Sequence, residues 1–273
     1  MHAFLTDVAN MWTRGLTHDL QRYVIFSVAV WFSLWVVLRT VMRPRKIRET
    51  TPPARQMVSE FLHSTRSIAI FSTVSVGINL LEWAGVYPLS KIAVSWGALW
   101  FWVSLVVMII AHDAYIYWTH RLMHRPRWFR NTHRRHHRSN NPSPFTAYNF
   151  DVAEAFVNVA FVLLWPLIFP TPWEVTGLFM LHQIFRNTLL HSGYELMPAR
   201  ADGRPWLDFM TTTVHHDLHH AQASHNYGAW FTWWDRWMGT EHPEYYGRFA
   251  KVAWRPGWPH TLVEAVRPFD RTA

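Results

Sequence analysis

The chain of 273 residues contains no cysteine. That absence excludes disulfides, thiolate metal sites and cysteine nucleophiles, and it leaves the redox compartment open. The His-Glu-x-x-His signature of zinc peptidases is missing too. Soluble di-iron bundles present two Glu-x-x-His motifs from facing helices, and no such pair occurs. There is no internal repeat and no low-complexity tract. The first twenty residues lack a charged start, an apolar core and a small-residue cleavage site, so no cleavable signal peptide is expected. Acidic residues are scarce, 18 against 26 Lys and Arg, giving a net charge of +8. Such a surplus can mark a nucleic-acid binder. Here the basic residues cluster where apolar segments end, so no nucleic-acid partner is expected.

Apolar and aromatic residues are abundant. Half of the chain is hydrophobic, with 18 Trp, and a further 18 residues are His. A bilayer core requires ~20 consecutive apolar residues per helix. Residues 20–42, 66–87 and 94–118 meet that pattern. Residues 152–169 and 173–190 are shorter or more mixed, with a turn at Pro170-Thr171-Pro172 between them. The expected fold is all-α and integral to a membrane, with four to five transmembrane helices and a cytosolic helical cap. Lys and Arg flank the spans unevenly. Residues 43–55 are basic, and 121–138 hold seven arginines. Both regions are therefore expected on the cytosolic side, with the N-terminus opposite. A bacterial inner membrane or an ER-type membrane fits this pattern. From residue 191 onward the chain reads as a soluble cap.

The stretch His-Arg-Leu-Met-His-Arg-Pro-Arg-Trp-Phe-Arg-Asn-Thr-His-Arg-Arg-His-His, 120–137, holds five histidines and six arginines. On a helix, at about 100° per residue, His120 and His124 share a stripe with Asp113 and Tyr117. His133, His136 and His137 fall within an arc of about 100°, and Arg134, Arg135 and Arg138 take the other side. His216, His219 and His220 repeat that spacing, with His215 one turn before His219. The expectation is histidine inward and arginine toward phosphate and water. Residues 112–225 hold 13 of the 18 histidines. A lone histidine on a helix is usually structural or solvated, which is the reading for His2, His18, His63, His242 and His260.

Eight clustered imidazoles, or nine with His191, are too many for one ion and suit two. Imidazole suits zinc, copper, iron and nickel. The ligand set read from the sequence is His120, His124, His133, His136, His137, His191, His216, His219 and His220, with His215 as a candidate addition. His182 lies nine residues before His191, on the opposite side of a continuous helix. It is assigned to the surroundings of the ligands or to a substrate channel. Asp113, Tyr117 and Asp217 are candidates to orient the ligand rings. Glu154, Glu195 and Asp235 are further carboxylates in reach of that role. Tyr115, Phe150, Phe185 and Tyr227 are candidates to line a lipid path. Two other function classes use the same residues: a membrane di-zinc hydrolase, and a histidine-based metal-binding or transport protein.

Several motifs resemble the fatty acid hydroxylase/sterol desaturase superfamily, the membrane-bound histidine-box di-iron enzymes. They are HDAYIYWTHRLMH (112–124), HRRHH (133–137), NPSPFTA (141–147), HSGYE (191–195), HDLHH (216–220), NYG (226–228) and WWDRWMGT (233–240). The look is closest to the sterol C5-desaturase-like branch. Where members often carry His-Pro at the start of the fourth span, this chain has Asp151-Val152. The resemblance implies N-terminal transmembrane helices over 1–110, a catalytic domain over 111–242 and a tail over 243–273. It implies two iron ions, with zinc as a substitute in preparations, and O2. The implied reaction is hydroxylation or desaturation of a membrane lipid, sterol-like or fatty acyl, at an unactivated C–H bond. A separate electron donor is implied, such as cytochrome b5 or a ferredoxin with its reductase. No catalytic residue beyond the metal ligands is implied.

Overall fold

A computed structural model describes residues 1–86 and 97–254. Helix α1 runs His2–Trp31 and continues as a π-helical turn, Phe32–Val37. Then come α2 (Ala54–Trp83), α3 (Ala98–Met123), α4 (Pro126–Thr132) and α5 (Arg134–His137). A 3-10 turn, Pro144–Tyr148, leads to α6 (Val152–Ile168) and α7 (Trp173–Leu190). The cap holds α8 (Thr213–Ala221), α9 (Trp233–Trp237) and α10 (Tyr245–Val252). Among the described residues there is no β-strand, only three isolated bridges, in line with the all-α expectation.

Among the described residues, two helices of the four to five expected spans meet the requirement of length and hydropathy: His2–Val37 and Ala98–Met123. The apolar helix α6 has only 17 residues. Helix α2 is 30 residues long, but its first half carries Arg55, Glu60, His63 and Arg66. Helix α1 begins well before residue 20, because nothing from His2 onward interrupts it; Gly15 simply meets Ser72 across the α1–α2 contact. The expected start of the third span, 94–96, and His260 lie outside the described residues. On α3 the side chains of Leu99, Trp102, Val106 and Ile110 point outward. They recur every three to four residues, and an apolar stripe left uncovered along one helix face suits lipid rather than water.

The helices are joined by small polar contacts and one clamp. Ser27, Ser64, Ser67 and Ser72 are buried where α1 meets α2, and small side chains let the two backbones approach. The NPSPFTA turn bonds to three helices at once. The Phe145 carbonyl accepts from Tyr23 Oη and Ser64 Oγ, both at 2.9 Å. Asn187 Nδ2 donates to Ala147 O at 2.5 Å. Ser143 caps the turn and donates to the buried Glu60. This turn therefore fixes α1, α2 and α7 beside the histidines.

The basic 43–55 segment folds back onto the cap. Ile47 N donates to Gly193 O at 3.1 Å and Glu195 N to Arg45 O at 2.9 Å. Arg48 Nε pairs with Asp217 Oδ1 at 2.8 Å. This segment and the histidine motifs thus share one side of the helix bundle.

Candidate metal centre

Helix α3 carries His120 in its last turn and ends at His124. Pro126 cannot continue that helix and opens α4 instead. His133 then breaks the chain direction, with φ −141° between α4 and α5. The single turn of α5 presents His136 and His137. Helix α7 ends at Leu190, and Gly193 takes φ +77° just after His191. That left-handed residue ends the helix and aims His191 at the cap. Helix α8, capped by Thr212 at His215 N, supplies His216, His219 and His220.

Nine histidines converge in two groups. The first group is His120, His124, His133, His137 and His219; the second is His136, His191, His216 and His220. Each His-x-x-His-His motif is therefore divided between the groups. The i,i+4 pair His133/His137 serves the first and His136 the second. His216/His220 serve the second and His219 the first. The sequence reading put each triplet on one inward face. The structure refines this: two groups sit side by side, and each motif straddles them.

The nitrogen spacing suits ions. In the first group His120 Nε2 lies 2.9 Å from His133 Nε2 and 3.2 Å from His124 Nε2, with His137 Nε2 3.1 Å from His124 Nε2. In the second, His191 Nε2 lies 3.0 Å from His216 Nε2 and 3.2 Å from His220 Nε2. Two nitrogens each about 2.1 Å from one ion stand roughly 3.0 Å apart at a right angle and roughly 3.4 Å apart at a tetrahedral angle.

Tautomers sharpen the point. His120, His191 and His219 place Nδ1 against the carbonyls of Tyr227, Asn187 and His225, at 2.9, 2.7 and 2.6 Å. A carbonyl only accepts, so each Nδ1 carries the proton and each Nε2 of a neutral ring is a bare lone pair. His219 Nε2 is buried with no hydrogen-bond partner. His120 and His191 each turn one lone pair toward two neighbouring ring nitrogens. A lone pair points along one line and cannot serve both; a shared cation does.

Burial also sets the charge. Desolvation, reinforced by neighbouring imidazoles, holds His133, His136, His216, His219 and His220 well below the usual range. His137 falls to about 3 and His191 to about 4, again chiefly by burial. The rings are thus neutral near pH 7, which is the form that ligates metal.

Of the carboxylates named from the sequence, Glu154 stands beside a ligand ring, whereas Asp113, Asp217 and Glu195 turn elsewhere. Glu154, in the first turn of α6, places Oε1 2.8 Å from His133 Nδ1, with both side chains buried. Asp151 at the head of α6 accepts from Arg135 N at 2.7 Å and so steadies α5. Asp113, expected to orient a ligand ring, turns to the 230–233 loop. It accepts from Trp230 N at 2.8 Å, Phe231 N at 3.2 Å and Trp233 Nε1 at 2.9 Å. Tyr117 Oη meets Thr240 Oγ1 at 3.0 Å. Asp217 leaves the histidine face of α8 for Arg48. Glu195 is spent on the cap backbone, accepting from Met197 N and Val214 N, both at 2.9 Å. His215 joins neither group; it points away from them to Tyr245 and stands 3.6 Å from Asp235. His182 packs on Trp230, 5.2 Å between rings.

Of the expected lipid-path residues, Phe150 and Tyr227 do line a chamber of about 70 Å³ beside the histidines. Tyr115 is instead tied to α6, its hydroxyl donating to Val157 O at 2.7 Å. Phe185 packs against Phe26 of α1. His112 is a chamber residue the sequence reading left unassigned. It accepts from Trp230 Nε1 at 2.9 Å.

The NYG and WWDRWMGT motifs meet here. Asp235 accepts from Tyr227 N, Gly228 N and Thr240 Oγ1 at 2.8–2.9 Å, and the Tyr227 carbonyl holds His120. A Cβ on Gly228 would lie 2.6 Å from Phe231 O and 2.8 Å from Asp235 Oδ2. Gly228→Ala should therefore displace the Tyr227 carbonyl. The expected result is lower metal occupancy and activity in a protein that still inserts, read by elemental analysis and turnover. Unchanged values for both would show that the carbonyl does not position His120.

Residues 105–240 match the family model for fatty acid hydroxylase. Lathosterol oxidase of Mus musculus is 30% identical over 192 residues, covering 69% of this chain and 62% of the relative. A delta(7)-sterol 5(6)-desaturase of Gibberella zeae is 30% identical over 190 residues, covering 68% and 56%. A putative methylsterol monooxygenase of Dictyostelium discoideum is 27% identical over 154 residues, covering 55% of each. The chain thus spans 55–62% of the length of these relatives. No solved structure matches.

Proposed function

We propose, for a chain that belongs to the fatty acid hydroxylase/sterol desaturase superfamily in its sterol C5-desaturase-like branch, that it is a membrane-bound di-iron oxidoreductase acting on a lipid C–H bond. The observation that carries this reading is the pair of buried imidazole groups with converging bare nitrogens. Nine neutral ligands would leave any ions held there strongly cationic, and neither group contains a carboxylate. Two iron ions held by these histidines would supply the redox chemistry with O2 that oxidation of an unactivated C–H bond requires.

The chain's own residues do the positioning. The carbonyls of Tyr227, Asn187 and His225 fix three ring orientations, and the Glu154 carboxylate stands beside a fourth ring, His133. Met123, Phe150 and Leu190 give the chamber an apolar side beside the histidines. Electrons come from a separate donor such as cytochrome b5 or a ferredoxin. The arginines at 125, 127, 130 and 134, close to the histidines in sequence, offer a basic face that steers an acidic partner.

The test uses the purified protein with lipid, a reductant and a donor chain. Oxygen uptake should track appearance of a lipid that has gained one oxygen or lost two hydrogens, seen by mass spectrometry. Activity lost on chelation should return with ferrous iron. Product formation without O2, or restoration by zinc with water as co-substrate, would favour a hydrolase and overturn the proposal.

A further inference from the structure

A larger cavity of about 380 Å³ lies among α1, α2, α6 and α7. Its volume is in the range that holds a drug-sized ligand. It shares three wall residues with the chamber beside the histidines: His112, Asn158 and Gln183. These come from three helices, α3, α6 and α7. His112 and Gln183 are each fixed by a bond to another element, and Asn158 by a bond to the backbone of its own helix. His112 Nδ1 accepts from Trp230 Nε1 at 2.9 Å. Asn158 Nδ2 donates to Glu154 O at 2.9 Å. Gln183 Oε1 accepts from Tyr148 Oη at 2.5 Å.

Such an arrangement is costly unless used. The three polar side chains stand beside the apolar wall residues Val159, Val162, Phe179 and Met180. The wall from α1 and α2 carries a second polar feature, the Asp19–Arg22 ion pair with Ser75 and Asn79. Charged groups within a membrane helix usually face a cavity with a task. The paired charges offer a donor and an acceptor without net charge, which suits the polar group of a neutral amphiphile.

We propose that His112, Asn158 and Gln183 form the threshold through which an amphiphile held in the larger cavity passes its hydrocarbon to the metal pair. This rests on the lipid-oxidation reading. The three side chains are specificity determinants: their pinned positions limit how far the hydrocarbon enters, and so which carbon is presented.

The experiment maps photolabelling, which needs no turnover. Protein in nanodiscs is irradiated with a long-chain alcohol bearing a terminal diazirine, and labelled peptides are sequenced. The wild-type protein should be labelled in the cavity, around Gly177 and Met180, and in the chamber, at Phe150 and Leu190. Asn158→Phe should keep the cavity label and metal content but lose at least ten-fold of the chamber label. Asn158→Ala should raise the chamber label and shift the oxidised position. Chamber labelling unchanged in both variants, or no cavity label in wild type, would overturn the proposal. If Asn158→Phe does not fold, Asn158→Ala alone decides between the same outcomes. Correct labelling without any oxidised product would instead refute the oxidase reading and leave the threshold standing.

Discussion

Alanine at any one of the nine clustered histidines should abolish lipid oxidation, but the loss of metal should follow the group. The first group has five imidazoles and the second has four. Removing His124 leaves four donors, still a full structural set. Removing His136, His191, His216 or His220 leaves three, with no carboxylate among the second group's members to complete them. Metal content should therefore fall from two toward one per chain in the second set of variants. It should stay nearer two in His124→Ala, although turnover is lost in both. His182→Ala and His2→Ala should keep both ions. Inserted, folded protein is verified by size-exclusion in detergent, and metal is measured by elemental analysis. Full turnover in any two of the nine variants would break the two-group arrangement.

Glu154→Gln should be the most damaging change outside the ligands. The carboxylate is buried, and Oε1 stands 2.8 Å from His133 Nδ1. A carboxylate beside the far nitrogen fixes ring orientation and raises ligand basicity, and losing such a partner costs about 10–100-fold in metal affinity or activity. Glutamine keeps the volume and one acceptor oxygen but removes the charge. Metal competition against a graded chelator should show the first group weakened and the second nearly unaffected. Asp113→Asn supplies the contrast. It should loosen the 230–233 loop and lower thermal stability while leaving affinity at both groups within a few-fold. Equal effects of the two substitutions on affinity would show that Glu154 acts only through packing.

Much of the histidine arrangement is legible in the sequence, because 3.6-residue periodicity fixes the azimuth of a side chain on its own helix. That is how His191 separates from His182. Azimuth does not tell what stands opposite. Asp113 lies on the stripe of His120, yet its partners are 117–120 residues away in the 230–233 loop. His215 sits one turn before His219, yet it faces Tyr245. Glu154 occupies an apolar helix start where nothing local marks it as the partner of His133. Among the described residues two of the four to five expected spans stand out by hydropathy, for a related reason. Hydropathy ranks a helix by composition, and α2 and α7 carry polar residues that serve the clamp and the chamber rather than lipid. The Asn158, Gln183 and His112 meeting point is a product of three helices packing together and leaves no trace in spacing along the chain.

The most direct measurement is anomalous diffraction at the iron edge from crystals of iron-loaded protein. Two peaks should appear, one within His120, His124, His133, His137 and His219, the other within His136, His191, His216 and His220. A single peak, or peaks outside these groups, would contradict the account.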